Sequence, residues 1–332
     1  MNEMKPDKIS VTYNLEDSSD QPSESISREY VERVLEAISS LGFEVTPVEV
    51  TGSPDEIVDR ILESKPELIF NLAEGAESQG REAYYPTIFE ILNIPYTGGG
   101  PAIMYVNLDK RLTLKLLDVN GIRVPKGKLI RSKEDSLPED MEFPAFIKPN
   151  YEGSSMGIGE KSVVNSREEA TERIEEMIDR FPAGIDVEEF IAGRELTVPM
   201  LEEFPGRLLE IVEYSRKGQQ YNIMDYQIKK TDKGEDELET LCPPELDPMV
   251  RQSVLELASR TFRMMRTPDL GRVDIRLSEE GEVYLIEVTA LPGLRPVSPM
   301  ITSADQKGLS YNDVIDLILK SAIKRCFSNR QQ

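Results

Sequence analysis

Apolar positions along the first hundred residues switch between two rhythms. "ISVTY" (9–13) is short and β-branched, whereas "SREYVERVLEAISSLG" (27–42) carries Tyr30, Val31, Val34, Leu35 and Ile38 at helical spacing and stops at Gly42. "FEVTPVEV" reads as a second strand, "SPDEIVDRILESK" as a helix opened by Ser53 with Pro54 behind it, and "ELIFNLA" as a third strand. Strands alternating with helices predict a parallel sheet flanked by helices, an α/β unit over residues 1–105. "REAYYPTIFEILNI" continues it as a helix, and "PYTGGGP" as a loop whose glycines allow close approach to a neighbour.

From about residue 106 the pattern changes. "NLDKRLTLKLLDVNG" predicts one lysine-bearing helix ending at Gly121. The strands "GKLI", "PAFIKPN", "DVEEFI" and "ELTVPML" follow, with the helix "SREEATERIEEMIDRF" between the second and third. This predicts a small α+β unit over 106–193. A third segment, 194–332, opens with "RLLEIVEY" and a polar stretch from Ser215 to Glu239. It continues with a helix from about Pro248 to Arg266, the strands "GRVDIRL" and "EVYLIEV", and a closing helix "YNDVIDLILKSAIKR". The polar stretch is too long for an ordinary connection and reads as either a functional lid or a disordered segment. No repeat recurs at a fixed period.

At 332 residues and 39% hydrophobic, the chain can bury more than one core. It contains no long apolar run and no targeting pattern at its start, so a cytoplasmic protein without a membrane partner is expected. The net charge of -22 repels polyanions and argues against nucleic acid as a partner. Cys242 and Cys326 lie far apart without a C-x-x-C pattern, which suggests neither a disulfide framework nor a zinc site. The chain has no histidine at all. That excludes Ser-His and Cys-His nucleophile pairs and imidazole ligands, leaving carboxylates, lysines, arginines, hydroxyls and bound ions.

Two strands carry acids where apolar residues belong, Asp274 in "GRVDIRL" and Glu287 in "YLIEV". Only a short turn separates the strands, so a hairpin can set the two carboxylates side by side as oxygen ligands for magnesium. The alternative is a salt bridge from one of them to Arg272 or Arg276. In "IKPNYEGSSMGIG" (147–159), Lys148 follows an apolar strand and precedes a Gly-Ser-Ser-x-Gly loop able to wrap phosphates. The loop matches neither a Walker nor a dinucleotide pattern. Lys110 adds a second cation. Glu188, Glu189 and Glu195 in "DVEEFIAGREL" could meet an adenosine, or simply face solvent.

Taken together, Lys110, Lys148, the Gly-Ser-Ser loop, "EEFIAGREL", Asp274, "IEVTALPG" and "NIPYTGGG" resemble the ATP-grasp superfamily, and within it the D-alanine–D-alanine ligases. The resemblance implies a three-domain ATP-grasp architecture with ATP between the second and third domains. It places Lys110 and Lys148 on the phosphates, Ser154 and Ser155 on the glycine-rich lid, Glu195 on the ribose, and Glu188, Glu189 and Ile191 around the adenine. Asp274 and Glu287 would hold Mg²⁺, Arg272 would stabilise developing charge, and Lys229 would reach the phosphates from a lid over 215–239. Gly293 and Ser298 would meet the amine substrate, with Arg295 as a further anion contact. A small amino acid or carboxylate is the implied substrate and a homodimer the implied assembly.

The chain also departs from the family pattern. "YNLEDSSDQPSES" lacks the usual glycines before the glutamate that holds the first ammonium, and Glu24 is the nearest candidate. Lys230 stands where a tyrosine is usual, Asn71 where a histidine is common, and Thr289 where an asparagine usually ligates a second magnesium. Thr289 thus completes the metal set only weakly. The implied activity is an ATP-dependent carboxylate-amine ligase with altered first-substrate specificity. The alternatives are a true D-alanine–D-alanine ligase and a nucleotide-binding protein without turnover.

Overall fold

The computed structural model describes residues 5–15, 26–75, 78–216 and 238–328. The first sheet has the order β2-β1-β3, with β1 (Lys8–Tyr13) pairing in parallel with β2 (Glu44–Glu49) and β3 (Leu68–Asn71). Alternation decides what packs on each face. Ile9, Val11, Leu68 and Phe70 point to one side, against Val31, Val34 and Ile38 of α1 (Arg28–Ser40). Val48, Ile69 and Ala73 point to the other, against α2 (Pro54–Ser64) and α3 (Arg81–Ile91). Ser53 closes a capping box with Glu56 ahead of Pro54, so α2 starts where its sequence predicts.

A pair of short helices leads out of this layer, α4 (Pro101–Leu108) and α5 (Lys110–Asp118). The second sheet has the order β4-β7-β5-β6: β4 (Gly127–Ile130), β5 (Ala145–Pro149), β6 (Val163–Val164) and β7 (Ile185–Glu189), with α6 (Arg167–Ile178) on its apolar face. The third is antiparallel, β10-β9-β8-β11-β12: β8 (Gly193–Leu201), β9 (Val212–Arg216), β10 (Leu238–Leu241), β11 (Leu270–Ser278) and β12 (Val283–Thr289). Its apolar face meets α7 (Pro248–Met265) and α5 through Leu196, Val198, Val273, Ile275 and Leu285. The chain ends in α8 (Pro299–Gln306) and α9 (Tyr311–Phe327).

Three features differ from the sequence expectation. The single helix expected over 107–121 breaks at Asp109, whose carboxylate accepts the Leu112 N–H and starts α5 afresh. Neither α4 nor α8 was expected, because proline-led turns of eight residues give little periodicity. Residues from Met300 onward pack on the first sheet, where Met300, Val314, Ile315 and Ile318 share a core with Ile9 and Val34. Of the expected lid, the two ends are paired strands, Arg216 opposite Leu238, and residues 217–237 lie outside the described residues.

A buried carboxylate locks the last helix to the first unit. Asp269 accepts the Gly98 N–H at 2.8 Å and the Ser321 hydroxyl at 2.7 Å, and pairs with Arg325 at 2.6 Å. Arg325 also donates to the Tyr96 carbonyl at 2.8 Å. Asp269→Asn removes the charge while tolerating the left-handed φ of +62° at this position. It should cost about 3 kcal/mol, the low end for a broken buried pair because Arg325 reaches solvent, read from the denaturant midpoint.

Candidate active site

Two sheets turn polar faces toward the same cleft. In the second sheet, Lys148 lies opposite Asp186, and Phe146 opposite Glu188, while Ile147 and Val187 between them face the core. In the third, Glu195, Thr197, Arg272, Asp274, Arg276, Glu287 and Thr289 share one face by register. Their neighbours Leu196, Val198, Val273 and Ile275 share the other. Period-two alternation thus writes each strand as a charged side and an apolar side.

Glu287 reaches this face through an irregularity. Asp274 pairs with Glu287, but the next residue, Ile275, pairs with Leu285, so Ile286 is an extra residue in β12. Such a bulge shifts the phase of everything beyond it. Val283 and Leu285 lie in the core, and strict alternation would have sent Glu287 there with them. With the bulge, Val288 takes the core position and Glu287 and Thr289 turn to the cleft.

Charges in the cleft are arranged in two neutral quartets. In the first, Arg111 donates to Asp186 from Nε at 2.6 Å and from Nη2 at 2.8 Å, and to Glu188 at 2.6 Å, while Lys148 meets Glu188 at 2.7 Å. Burial opposes the Lys148 ammonium, but the facing carboxylates of Glu188 and Asp186 outweigh it and raise its pKa, so it stays charged. Gly127 makes room: a Cβ there would come within 2.6 Å of the Val187 carbonyl and 2.7 Å of Arg111 Nη2. In the second quartet, Lys110 Nζ lies 2.9 Å from Glu287 and Arg272 donates to Asp274 at 2.8 Å. Thr197 donates its hydroxyl to the other Asp274 oxygen at 2.8 Å. The Arg272 Nε–H is buried and has no acceptor among the described residues.

The remaining expected residues fall around these quartets. Arg276 takes the Ile191 carbonyl at 3.0 Å and Glu195 at 3.2 Å and lies over the Phe190 ring, so neither Ile191 nor Glu195 is bare. Glu188 is engaged by Arg111 and Lys148 rather than facing solvent, and the Glu189 N–H donates to the Lys126 carbonyl. Ser154 and Ser155 both hold left-handed φ values, +51° and +60°, in the loop between β5 and β6. For side chains other than glycine this is strained, a feature that clusters where backbone serves ligands. Gly293 and Arg295 are exposed, and Ser298 is the N-cap of α8, accepting the Ile301 N–H at 3.4 Å. Asn71 is buried, its Oδ1 accepting from Thr12 and the Ala73 N–H. Glu24, Lys229 and Lys230 lie outside the described residues.

Sequence reasoning missed Arg111, Asp186 and the residues that fix them. Asn150 Oδ1 accepts the Arg111 N–H at 2.8 Å, and Asp109 accepts from Asn150 at 2.8 Å and from the Tyr151 hydroxyl at 2.6 Å. The available signal was the spacing of Asp186 and Glu188, two acids on one face of a strand whose other face is apolar. As a metal site, the Asp274–Glu287 pair offers hard oxygen donors of the kind magnesium takes when phosphates supply its other ligands. Among the described residues no three carboxylate or thiol groups converge as a dedicated cage. Two adjacent carboxylates fit a cation that takes its other ligands from a phosphate.

The family described as "D-ala D-ala ligase C-terminus" matches residues 110–320. D-alanine–D-alanine ligase B of Clostridium perfringens is 31% identical over 301 residues, covering 89% of this chain and 92% of that protein. Among solved structures, the D-alanine–D-alanine ligase of Bacillus anthracis complexed with ATP superposes with a TM-score of 0.76 at 19% identity. That match covers 96% of this chain and 98% of the other. The VanG D-Ala:D-Ser ligase of Enterococcus faecalis gives a TM-score of 0.74 at 21% identity, covering 96% and 100%.

Burial would raise the Glu287 carboxyl, but the charges of Lys110 and Arg272 outweigh it and hold it at about 2, below its ordinary 4.5. A folded pKa below the unfolded one stabilises fully above the unfolded value and is lost as pH falls through the folded value. Glu287→Gln should therefore lower the denaturant midpoint by an amount that is constant between about pH 6 and 8 and shrinks below about pH 4. A deficit that ignores pH would show that the pair does not hold this carboxylate.

Proposed function

The chain belongs to the D-alanine–D-alanine ligase family of the ATP-grasp superfamily, and from this we propose that it is an ATP-dependent ligase joining a carboxylate to an amine. One observation carries the reading: Lys110, Lys148, Arg272 and the Asp274–Glu287 pair converge from separate elements on one cleft.

In this reading ATP lies between the second and third sheets. The strand end Glu188–Ile191 receives the adenine, with Glu189 at its edge, and Glu195 holds the ribose. Lys110 and Lys148 contact the phosphates, and Ser154 and Ser155 fold over them. Arg272 uses its Nε–H, which has no acceptor among the described residues, for a phosphate oxygen. Asp274 and Glu287, with Thr289 beside them, would hold Mg²⁺, which when bound neutralises phosphate charge and orients the transferred group. A substrate carboxylate oxygen attacks the γ-phosphorus and ADP leaves with the bond it breaks. The amine then attacks the carbonyl of the acyl phosphate, loses a proton and expels phosphate, giving an amide. These cations act by spreading charge in the transition state, and no protein nucleophile is needed.

The amine substrate's carboxylate would sit at the N-terminus of α8, where the Ser298 hydroxyl and the positive end of the helix dipole favour an anion, with Gly293 giving access and Arg295 adding charge. For the first substrate, the altered turn around Glu24 and Lys230 in the lid favour a donor other than D-alanine.

The protein should release phosphate from ATP and Mg²⁺ in the presence of amino acids and small carboxylates, with new amide masses appearing. No release with any pool would sink the ligase reading, and D-alanine alone giving the dipeptide at full rate would overturn the altered donor. Lys148→Met should lower kcat/KM by roughly 100-fold or more. Thr289→Asn should lower the magnesium concentration needed for half-maximal rate, because an amide oxygen is a better ligand than a hydroxyl. An unchanged magnesium titration would remove Thr289 from the metal set.

A further inference from the structure

We propose that Arg81 is a positioning residue: from the first unit it clamps the backbone that aims Lys110 and launches the Gly-Ser-Ser loop. The inference rests on the nucleotide site proposed above.

Arg81 stands at the first position of α3, where the helix dipole disfavours a cation, and it is only 2% exposed. Local preference therefore gives no reason for an arginine here, and burial makes its partners matter. Its Nη2 donates to the Tyr151 carbonyl at 2.7 Å and lies 3.8 Å from a Glu152 carboxylate oxygen, while Nη1 donates to the Ser78 carbonyl at 3.2 Å. The next carbonyl along, that of Glu152, accepts Lys110 Nζ at 2.8 Å. Two consecutive carbonyls are thus each held by a cation from a different part of the chain. Lys110 divides its ammonium between Glu152 and Glu287, so the orientation of the 151–152 backbone decides where that charge sits.

Upstream, the same backbone is already anchored, since Asp109 holds the side chains of Asn150 and Tyr151. Downstream comes Gly153 and then the strained pair Ser154 and Ser155. Arg81 adds a contact from the first unit at the Tyr151 carbonyl. Without it, the Tyr151–Glu152 peptide loses its fixed plane and the loop loses its base. Gly75 gives a second handle on the same contact. It has φ +81°, and a Cβ there would come 2.8 Å from the Arg81 carbonyl oxygen, so Gly75→Ala displaces Arg81 without removing its charge.

The test compares the parent with Arg81→Met, Arg81→Lys and Gly75→Ala in the full chain. Affinity for a fluorescent ATP analogue with Mg²⁺, amide hydrogen exchange across residues 150–157, and the melting transition are all measured. Arg81→Met should weaken nucleotide binding by roughly tenfold or more and speed exchange over 150–157, with Arg81→Lys intermediate because it keeps one charged donor. In turnover, KM for ATP should rise while KM for the amine substrate stays near the parent value. Unchanged affinity and exchange in a folded Arg81→Met protein would overturn the proposal. So would a loss confined to the folded fraction, with both KM values unchanged, which marks a purely structural role. If Arg81→Met does not fold, Arg81→Lys and Gly75→Ala decide by the same criteria. A parent that binds the analogue while the variants match it sinks this inference alone; a parent that binds no nucleotide sinks the functional reading as well.

Discussion

Three consecutive side chains at the start of α5 hold the cleft together. Asp109 caps the helix and grips Asn150 and Tyr151, Lys110 reaches Glu287 on the third sheet, and Arg111 reaches Asp186 and Glu188 on the second. Each is buried, and none would be stable alone, because an unpaired charge away from water is too costly. The compensation comes from elements far apart in sequence, so the two sheets must sit where their acids meet these bases. The break between α4 and α5 follows from this demand, since a continuous helix would leave the Asp109 carboxylate with no N–H to cap.

Neutral pairing also explains how the cleft can be charged and still folded. Arg111 and Lys148 against Asp186 and Glu188, and Lys110 and Arg272 against Asp274 and Glu287, are balanced without a ligand. An incoming phosphate and its cation would join a balanced array, with the acids meeting the metal and the bases meeting the phosphate. Fixed groups of this kind need little reorganisation when charge moves, which is the source of most electrostatic catalysis.

Much of the framework was legible along the chain. The period-two strands and the capped helices of the first hundred residues fold where their patterns predict, because each pattern matches a local geometry with an apolar side to bury. The acids in β11 and β12 were visible as misplaced charges, and their hairpin pairing followed from the short turn. The glycine-rich loop and its two lysines were visible as motifs. Arg111 and Asp186 were not, since an arginine beside a lysine and an acid at a strand start are ordinary until their partners are known. Arg81 was hidden for the same reason within a helix-forming run.

The amino-acid sequence by itself determined most of the strands and the longer helices, the chemistry available without histidine, and the family whose pattern these residues follow, because each depends on local spacing or residue type. The tertiary structure decided which charges meet. It decided that a bulge at Ile286 turns Glu287 from the core to the cleft, that the last two helices complete the core of the first sheet, and that Arg81 reaches the backbone beside Lys110. Those outcomes depend on register and on distances between segments remote in sequence, and a buried charge finds its partner only once the sheets have packed.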